Sequence, residues 1–133
     1  MAKKTVGIVE KVEVIGEKSI STYALFDTGA RRTSVDTKLA GKAKLGPIIS
    51  IIKVKQASTK NEVRRPVVRA TIKIKNKMFE VSVNIQDREH MTFPIIIGRD
   101  VLAGNFLVDA SRNKELFQRK KRNEEHTLMK YVS

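Results

Sequence analysis

Apolar and polar residues alternate with a period of two through most of this chain, and nothing else in the sequence constrains the fold as tightly. Ile52-Lys53-Val54-Lys55, Ala70-Thr71-Ile72-Lys73-Ile74-Lys75 and the stretch from Met78 to Ile85 each put apolar side chains on one face of an extended backbone. Thr5 to Ile15 reads as one or two strands, Gly16 to Ser19 as a turn, and Ser21 to Phe26 as a buried strand. Ile48–Gln56 and Val63–Lys75 read as two strands joined through turn-like Ser58-Thr59-Lys60-Asn61, and Asn76-Lys77 predicts a tight hairpin turn. Phe93-Pro94-Ile95-Ile96-Ile97 is an apolar strand stopped by Gly98. Arg99 to Ala103 predicts one or two helical turns closed by Gly104, before a last strand at Phe106-Leu107-Val108. The sum is an all-β domain: a small closed or partly closed barrel, or a sandwich, with one short C-terminal helix.

At 133 residues the chain makes one domain with a modest core. Its composition shifts at Asn113, which divides it into a folded unit, 1–112, and a charged tail, 113–133, expected to be helical or disordered. The tail carries the basic run Arg119-Lys120-Lys121-Arg122, read as a solvated segment. The absence of cysteine excludes disulfides and thiolate metal sites. The first residues are too polar for a signal peptide and no apolar run reaches membrane-spanning length, so the expectation is a soluble, cytoplasmic protein with no membrane contact. Lys and Arg number 27 against 14 for Asp and Glu, a net charge of +13 that attracts polyanions. With two Tyr, five Phe and no Trp, a stacking platform for single-stranded nucleic acid is disfavoured.

One carboxylate stands out. The apolar strand Ala24-Leu25-Phe26 ends in Asp27-Thr28-Gly29-Ala30, and about seventy residues later Ile95-Ile96-Ile97 ends in Gly98-Arg99-Asp100-Val101-Leu102. An acid followed by glycine is also ordinary turn punctuation; the second motif gives it weight. Together the two patterns resemble the retropepsin-like aspartic proteases, and the long hairpin from Ile48 to Ile74 sits where that family places its flap. A narrower resemblance runs to about Arg112. It is carried by Asp27–Ser34 (Asp-Thr-Gly-Ala-Arg-x-x-Ser), Arg65-Pro66-Val67-Val68, Asp87-Arg88 with Met91, Phe93-Pro94, and Phe106–Asp109 with Ser111-Arg112. These resemble the retropepsin-like family associated with RimK-type glutamate ligases and often labelled "ATP-dependent zinc protease". The residues support neither half of that label. There is no Gly-Lys-Ser/Thr phosphate loop, and His90 and His126 lie far apart with no His-Glu-x-x-His. No metal and no cofactor is expected.

The resemblance implies a barrel of the acid-protease type in which two carboxylates share one proton and activate a water. Only one Asp-Thr-Gly exists, so the implied enzyme is a homodimer with Asp27 from each chain at one site. By the same resemblance Thr28 bonds across the two-fold axis, Gly29 turns its N–H toward the carboxylates, and Ile97-Gly98 threads the loop that carries Asp27. Arg99 is implied to pair with an acid near the interface. Arg31 stands where viral relatives commonly carry that acid, which leaves Asp100 or Asp36 to replace it. Ser58, Thr59, Lys60 and Asn61, at the implied flap tip and substrate contact, lack the glycines that make such flaps mobile. The implied partner is a peptide or protein substrate, with acidic, glutamate-rich tails favoured by the charge. A basic, non-catalytic β-barrel module binding RNA or ribosomes is the alternative; nucleic acid is not the favoured partner.

Overall fold

The alternating stretches become strands of one closed sheet. The computed structural model describes residues 2–55 and 61–117. In chain order the elements are β1 (Lys4–Gly7), β2 (Val9–Ile15), β3 (Ser19–Phe26), β4 (Ser34–Asp36), α1 (Thr37–Ala43), β5 (Ile48–Lys55), β6 (Glu62–Ile74), β7 (Lys77–Gln86), β8 (Ile95–Ile97), α2 (Arg99–Leu102) and β9 (Phe106–Asp109). The sheet runs β2-β3-β8-β4-β7-β6, and β6 returns to β2 through Glu13↔Lys73, Val14↔Ile72 and Ile15↔Thr71. Six strands therefore close a barrel.

At 13 residues, β6 is long enough for two tasks. Its second half closes the barrel, while its first half pairs with β5 from Val68↔Ile48 out to Glu62↔Lys55 and projects as a hairpin. Beside the barrel, β1 and β9 pair in parallel, Lys4↔Phe106 to Gly7↔Asp109. Ile8 divides β1 from β2, and beside it the buried Glu10 carboxylate accepts from Gly7 N at 2.7 Å and meets Lys75 Nζ at 3.3 Å.

Inward positions form the core: Val12 and Val14, Phe26, Val35, Ile72 and Ile74, Val83, Ile95 and Ile97 are all buried. Each such side chain contributes about 1.5–3 kcal/mol when fully removed from water. Phe106 seats β9 on the barrel, its ring edge-on to Phe26 at 6.4 Å and 5.6 Å from Phe79. No helix of the described residues is long and apolar enough to cross a membrane.

Two local readings are corrected. Helix α1 was not expected alongside the single helix at Arg99. Asp36 caps it, accepting from Lys38 N at 3.0 Å, and Leu39, Ala40 and Ala43 pack inward, so three well-placed apolar residues outweigh the low helix propensity of Gly41. The hairpin turn between β6 and β7 falls one residue earlier than Asn76-Lys77. Lys75 and Asn76 hold φ of 50° and 65°, the left-handed pair that matches the twist of a two-residue hairpin. Beyond β9, residues 114–117 form one more helical turn. Of the expected charged tail, 118–133 lie outside the described residues, with Arg119–Arg122 and His126 among them.

Candidate active site

The chain leaves β3 at Asp27, loops through residues 27–33, and re-enters the sheet as β4 on the far side of β8. β8 lies between the two, parallel to β3 (Leu25↔Ile96, Phe26↔Ile97) and antiparallel to β4 (Ser34↔Ile96, Val35↔Ile95). The end of β8 therefore sits inside the Asp27 loop. Ile97 O accepts from Asp27 N at 2.9 Å, Gly98 N donates to Thr33 Oγ1 at 3.1 Å, and Arg99 N donates to Ala30 O at 2.9 Å. Only a glycine fits at 98. A Cβ there would lie 2.7 Å from both C and O of Arg32 and 3.0 Å from Ala30 O, which are backbone atoms that cannot rotate away.

The far side of the loop is fastened by α2. Thr33 is fully buried; its N–H donates to Asp100 Oδ2 at 3.0 Å and its hydroxyl to Oδ1 at 2.7 Å. Hydrogen bonds to a charged acceptor contribute about 1.5–3 kcal/mol each, so this pair is a firm clasp. Sequence reasoning gave Thr33 no role, since nothing in the string marks it.

Asp27 itself is half-buried. Its Oδ1 accepts from Gly29 N at 2.9 Å, and its backbone carbonyl accepts from Ala30 N at 3.1 Å, closing a tight turn. A side chain at Gly29 would press on that carboxylate, since its Cβ would stand 3.2 Å from Oδ1. Oδ2 has no hydrogen-bond partner among the described residues. Thr28 and Gly29 are exposed. Asp27 and Thr28 open into a cleft of about 330 Å³ whose other walls are apolar, with Ile8, Leu25, Val108 and Phe117 among them. Phe117 reaches it from the last described turn and stacks on Phe93 at 6.2 Å.

The other acids that sequence reading weighed are occupied elsewhere. Asp36 accepts from Lys38 N and, at 2.8 Å, from Arg88 N; Asp87 accepts from Glu89 N at 3.0 Å; Asp100 holds Thr33; Asp109 accepts from Ser111 Oγ at 2.6 Å. Arg99 therefore pairs with neither Asp100 nor Asp36. Its Nη1 donates to Thr28 O at 3.1 Å, and the guanidinium grips the active loop by its backbone.

Arg88 is the one buried guanidinium among the described residues. Its Nε donates to Phe93 O at 3.0 Å. Burial lowers its pKa, and Arg65 pushes the same way, while Asp36 and, more weakly, Asp27 oppose the shift. Ser58, Thr59 and Lys60 lie outside the described residues, and Asn61 is exposed at the outer end of the hairpin, next to Glu62. His90 is exposed, and no group of three or more His, Asp or Glu among the described residues could hold a metal ion.

Comparison with known proteins agrees with this fold. No curated protein matches the chain. A Legionella pneumophila crystal structure of unknown function matches with a TM-score of 0.56 at 21% identity, covering 83% of this chain and 95% of that one. EIAV protease complexed with the inhibitor HBY-793 matches with a TM-score of 0.58 at 22% identity, covering 76% of this chain and 91% of the viral one. At such identities the likeness is one of fold. The family model described as retropepsin-like aspartic endopeptidase RimB matches residues 31–120, about two thirds of the chain, starting just after the Asp27-Thr28-Gly29 turn. The chain belongs to the RimB-like family of retropepsin-like aspartic endopeptidases.

Proposed function

We propose that this protein is a homodimeric aspartic peptidase in which Asp27 from each of two copies meets at one site and activates a water for peptide-bond hydrolysis. The observation that carries the reading is the Asp27 carboxylate itself. Its Oδ1 accepts from Gly29 N, its residue is tied to β8 through Asp27 N–Ile97 O, its other oxygen is free among the described residues, and it lines a cleft. Every other acid weighed for the role is engaged in a cap, a turn or the Thr33 clasp, so one copy supplies one catalytic carboxylate and the second comes from a partner.

Two such carboxylates cannot both ionise cheaply at close range, so the pair holds one proton. The ionised Asp27 takes a proton from the water as its oxygen adds to the scissile carbonyl carbon. The protonated Asp27 of the second copy hydrogen-bonds the carbonyl oxygen as negative charge builds there. Collapse of the tetrahedral intermediate breaks the C–N bond, and the departing amine takes up a proton from the pair. The net charge of +13 favours acidic, glutamate-rich segments as substrates.

Asp27→Asn tests the assignment. The amide keeps Oδ1 as the acceptor for Gly29 N, so the variant should fold and melt like wild type yet cleave no peptide. Cleavage by a folded Asp27→Asn protein would overturn the reading. On the substrate side, glutamate-rich peptides should be cut faster than neutral ones, and the margin should shrink as salt rises. A ranking indifferent to salt would remove the electrostatic part.

A further inference from the structure

The last described turn, residues 113–117, folds back onto the face that carries Asp27. Its root is fixed at three points. Ile8 N donates to Arg112 O at 3.1 Å, Arg112 Nη1 to Thr5 O at 3.1 Å, and Asn113 Nδ2 to Val9 O at 2.9 Å. Asn113 holds φ of 63°, a left-handed geometry that reverses the chain, and its carbonyl accepts from Leu116 N at 3.1 Å. At the tip, Phe117 stacks on Phe93 and forms one wall of the cleft that Asp27 and Thr28 open into. Ile8, Leu25, Val108 and Ala110, in the other walls, are partly or wholly exposed. A shared site constrains this face. Each carboxylate of a catalytic pair lies about 3 Å from the one water. A second copy must therefore bring its loop against Asp27 and Thr28 and cover the apolar residues around them. Phe117 already stands in that cleft.

We infer that the turn over residues 113–117 is a cover on the dimerisation face, and that it swings off before two copies join. The inference rests on the shared Asp27 site proposed above. Within one subunit, Phe117 takes the place of the second copy by shielding apolar surface that the dimer would bury. The cover is tethered, so it acts at high effective concentration against a partner that arrives by diffusion. One ring contact is modest in strength, which keeps the cover reversible. Dilute subunits stay closed and inactive, and rising concentration pairs them. Two subunits open for each dimer formed, so the covering equilibrium enters the dimer dissociation constant squared.

Sedimentation velocity on the full chain, across a concentration series, measures that constant. Phe117 lies outside the barrel core, so Phe117→Ala removes the ring and spares the fold. It should tighten the dimer by roughly twentyfold, about fivefold for each freed subunit, the order of one aromatic contact. Half-maximal specific activity should then come at a correspondingly lower enzyme concentration. Asn113→Gly keeps the left-handed turn but deletes the bond to Val9 O, and should tighten the dimer by roughly tenfold. Phe117→Trp supplies a second reading. The chain has no other tryptophan, so the emission reports this position alone and should move to longer wavelength as copies pair. A dimer weakened by Phe117→Ala would make the ring a contact between copies and overturn the inference. An unchanged constant, an emission that moves to shorter wavelength, or a wild type that stays dimeric at every dilution would overturn it too. So would variants that remain monomeric and inactive. Monomers that cleave peptide would instead strike the shared Asp27 site, so the two failures are distinguishable.

Discussion

Replacing Gly98 by alanine adds one methyl group at the point where β8 passes through the loop that carries Asp27. The backbone there is extended (φ −100°), so alanine meets no torsional strain and the cost is steric. The new Cβ would stand 2.7 Å from C and O of Arg32, about 0.7 Å inside ordinary contact, and 3.0 Å from Ala30 O. Both neighbours are backbone of the loop, so relief requires moving the loop itself. That motion strains the Asp27 N–Ile97 O and Arg99 N–Ala30 O bonds, each 2.9 Å. Forcing a methyl group into a packed site costs about 1–3 kcal/mol. For a domain of this size, that lowers the melting temperature by roughly 3–12 °C. Activity should fall further than stability, because a catalytic group displaced by about 1 Å loses on the order of a hundredfold in rate. Circular dichroism melts, with cleavage of a glutamate-rich peptide measured well below both melting points, read the two effects separately. Gly41→Ala supplies the opposite sign. Nothing lies within 4 Å of its added Cβ inside α1, and alanine there should stabilise by about 0.5–1 kcal/mol. A Gly98→Ala protein that melts and cleaves like wild type would refute the threaded-loop reasoning.

Other outcomes follow from the same geometry. When wild-type and Asp27→Asn subunits are unfolded, mixed equally and refolded, random pairing leaves about a quarter of dimers with two carboxylates, and activity should fall toward that fraction; a fall to only about half would point to a self-contained site. The Asp109 carboxyl is held below its ordinary pKa, first by the Ser111 hydroxyl and then by the Ser111 N–H. A depressed carboxylate contributes stability above its unfolded pKa, near 3.9, that is lost as pH falls through the lower folded value. Ser111→Ala should therefore raise the Asp109 titration midpoint seen by NMR, and an unmoved midpoint would break the link. A chelator should leave peptide cleavage unchanged, whereas loss of activity restored by zinc would return a metal to the site.

Much of the barrel was legible in the string because period-two alternation is local: each strand's inward face follows from its own residues, as in Ala70–Lys75 and Met78–Ile85. The place of Asp27 at the end of a strand was legible too, since an apolar run that stops in Asp-Thr-Gly marks its own end. Helix α1 was missed although Asp36 and the spacing of Leu39, Ala40 and Ala43 are in the text. Seven residues broken by Gly41 make a weak signal until the barrel gives them a surface to bury.

Other features belong to the tertiary structure alone. Thr33 and Asp100 are 67 residues apart, and Asp36 and Arg88 are 52 apart; nothing local announces either pairing. The same is true of the grip of Arg99 on Thr28 O, which replaced the expected acid partner, and of Phe117, which lines the Asp27 cleft from the far end of the described chain. The sequence by itself determined which stretches are strands and which carboxylate ends one of them, because those depend on neighbours a few residues away. Where that carboxylate is held, and what charge surrounds it, were decided only when barrel closure brought distant segments within hydrogen-bonding and Coulomb range.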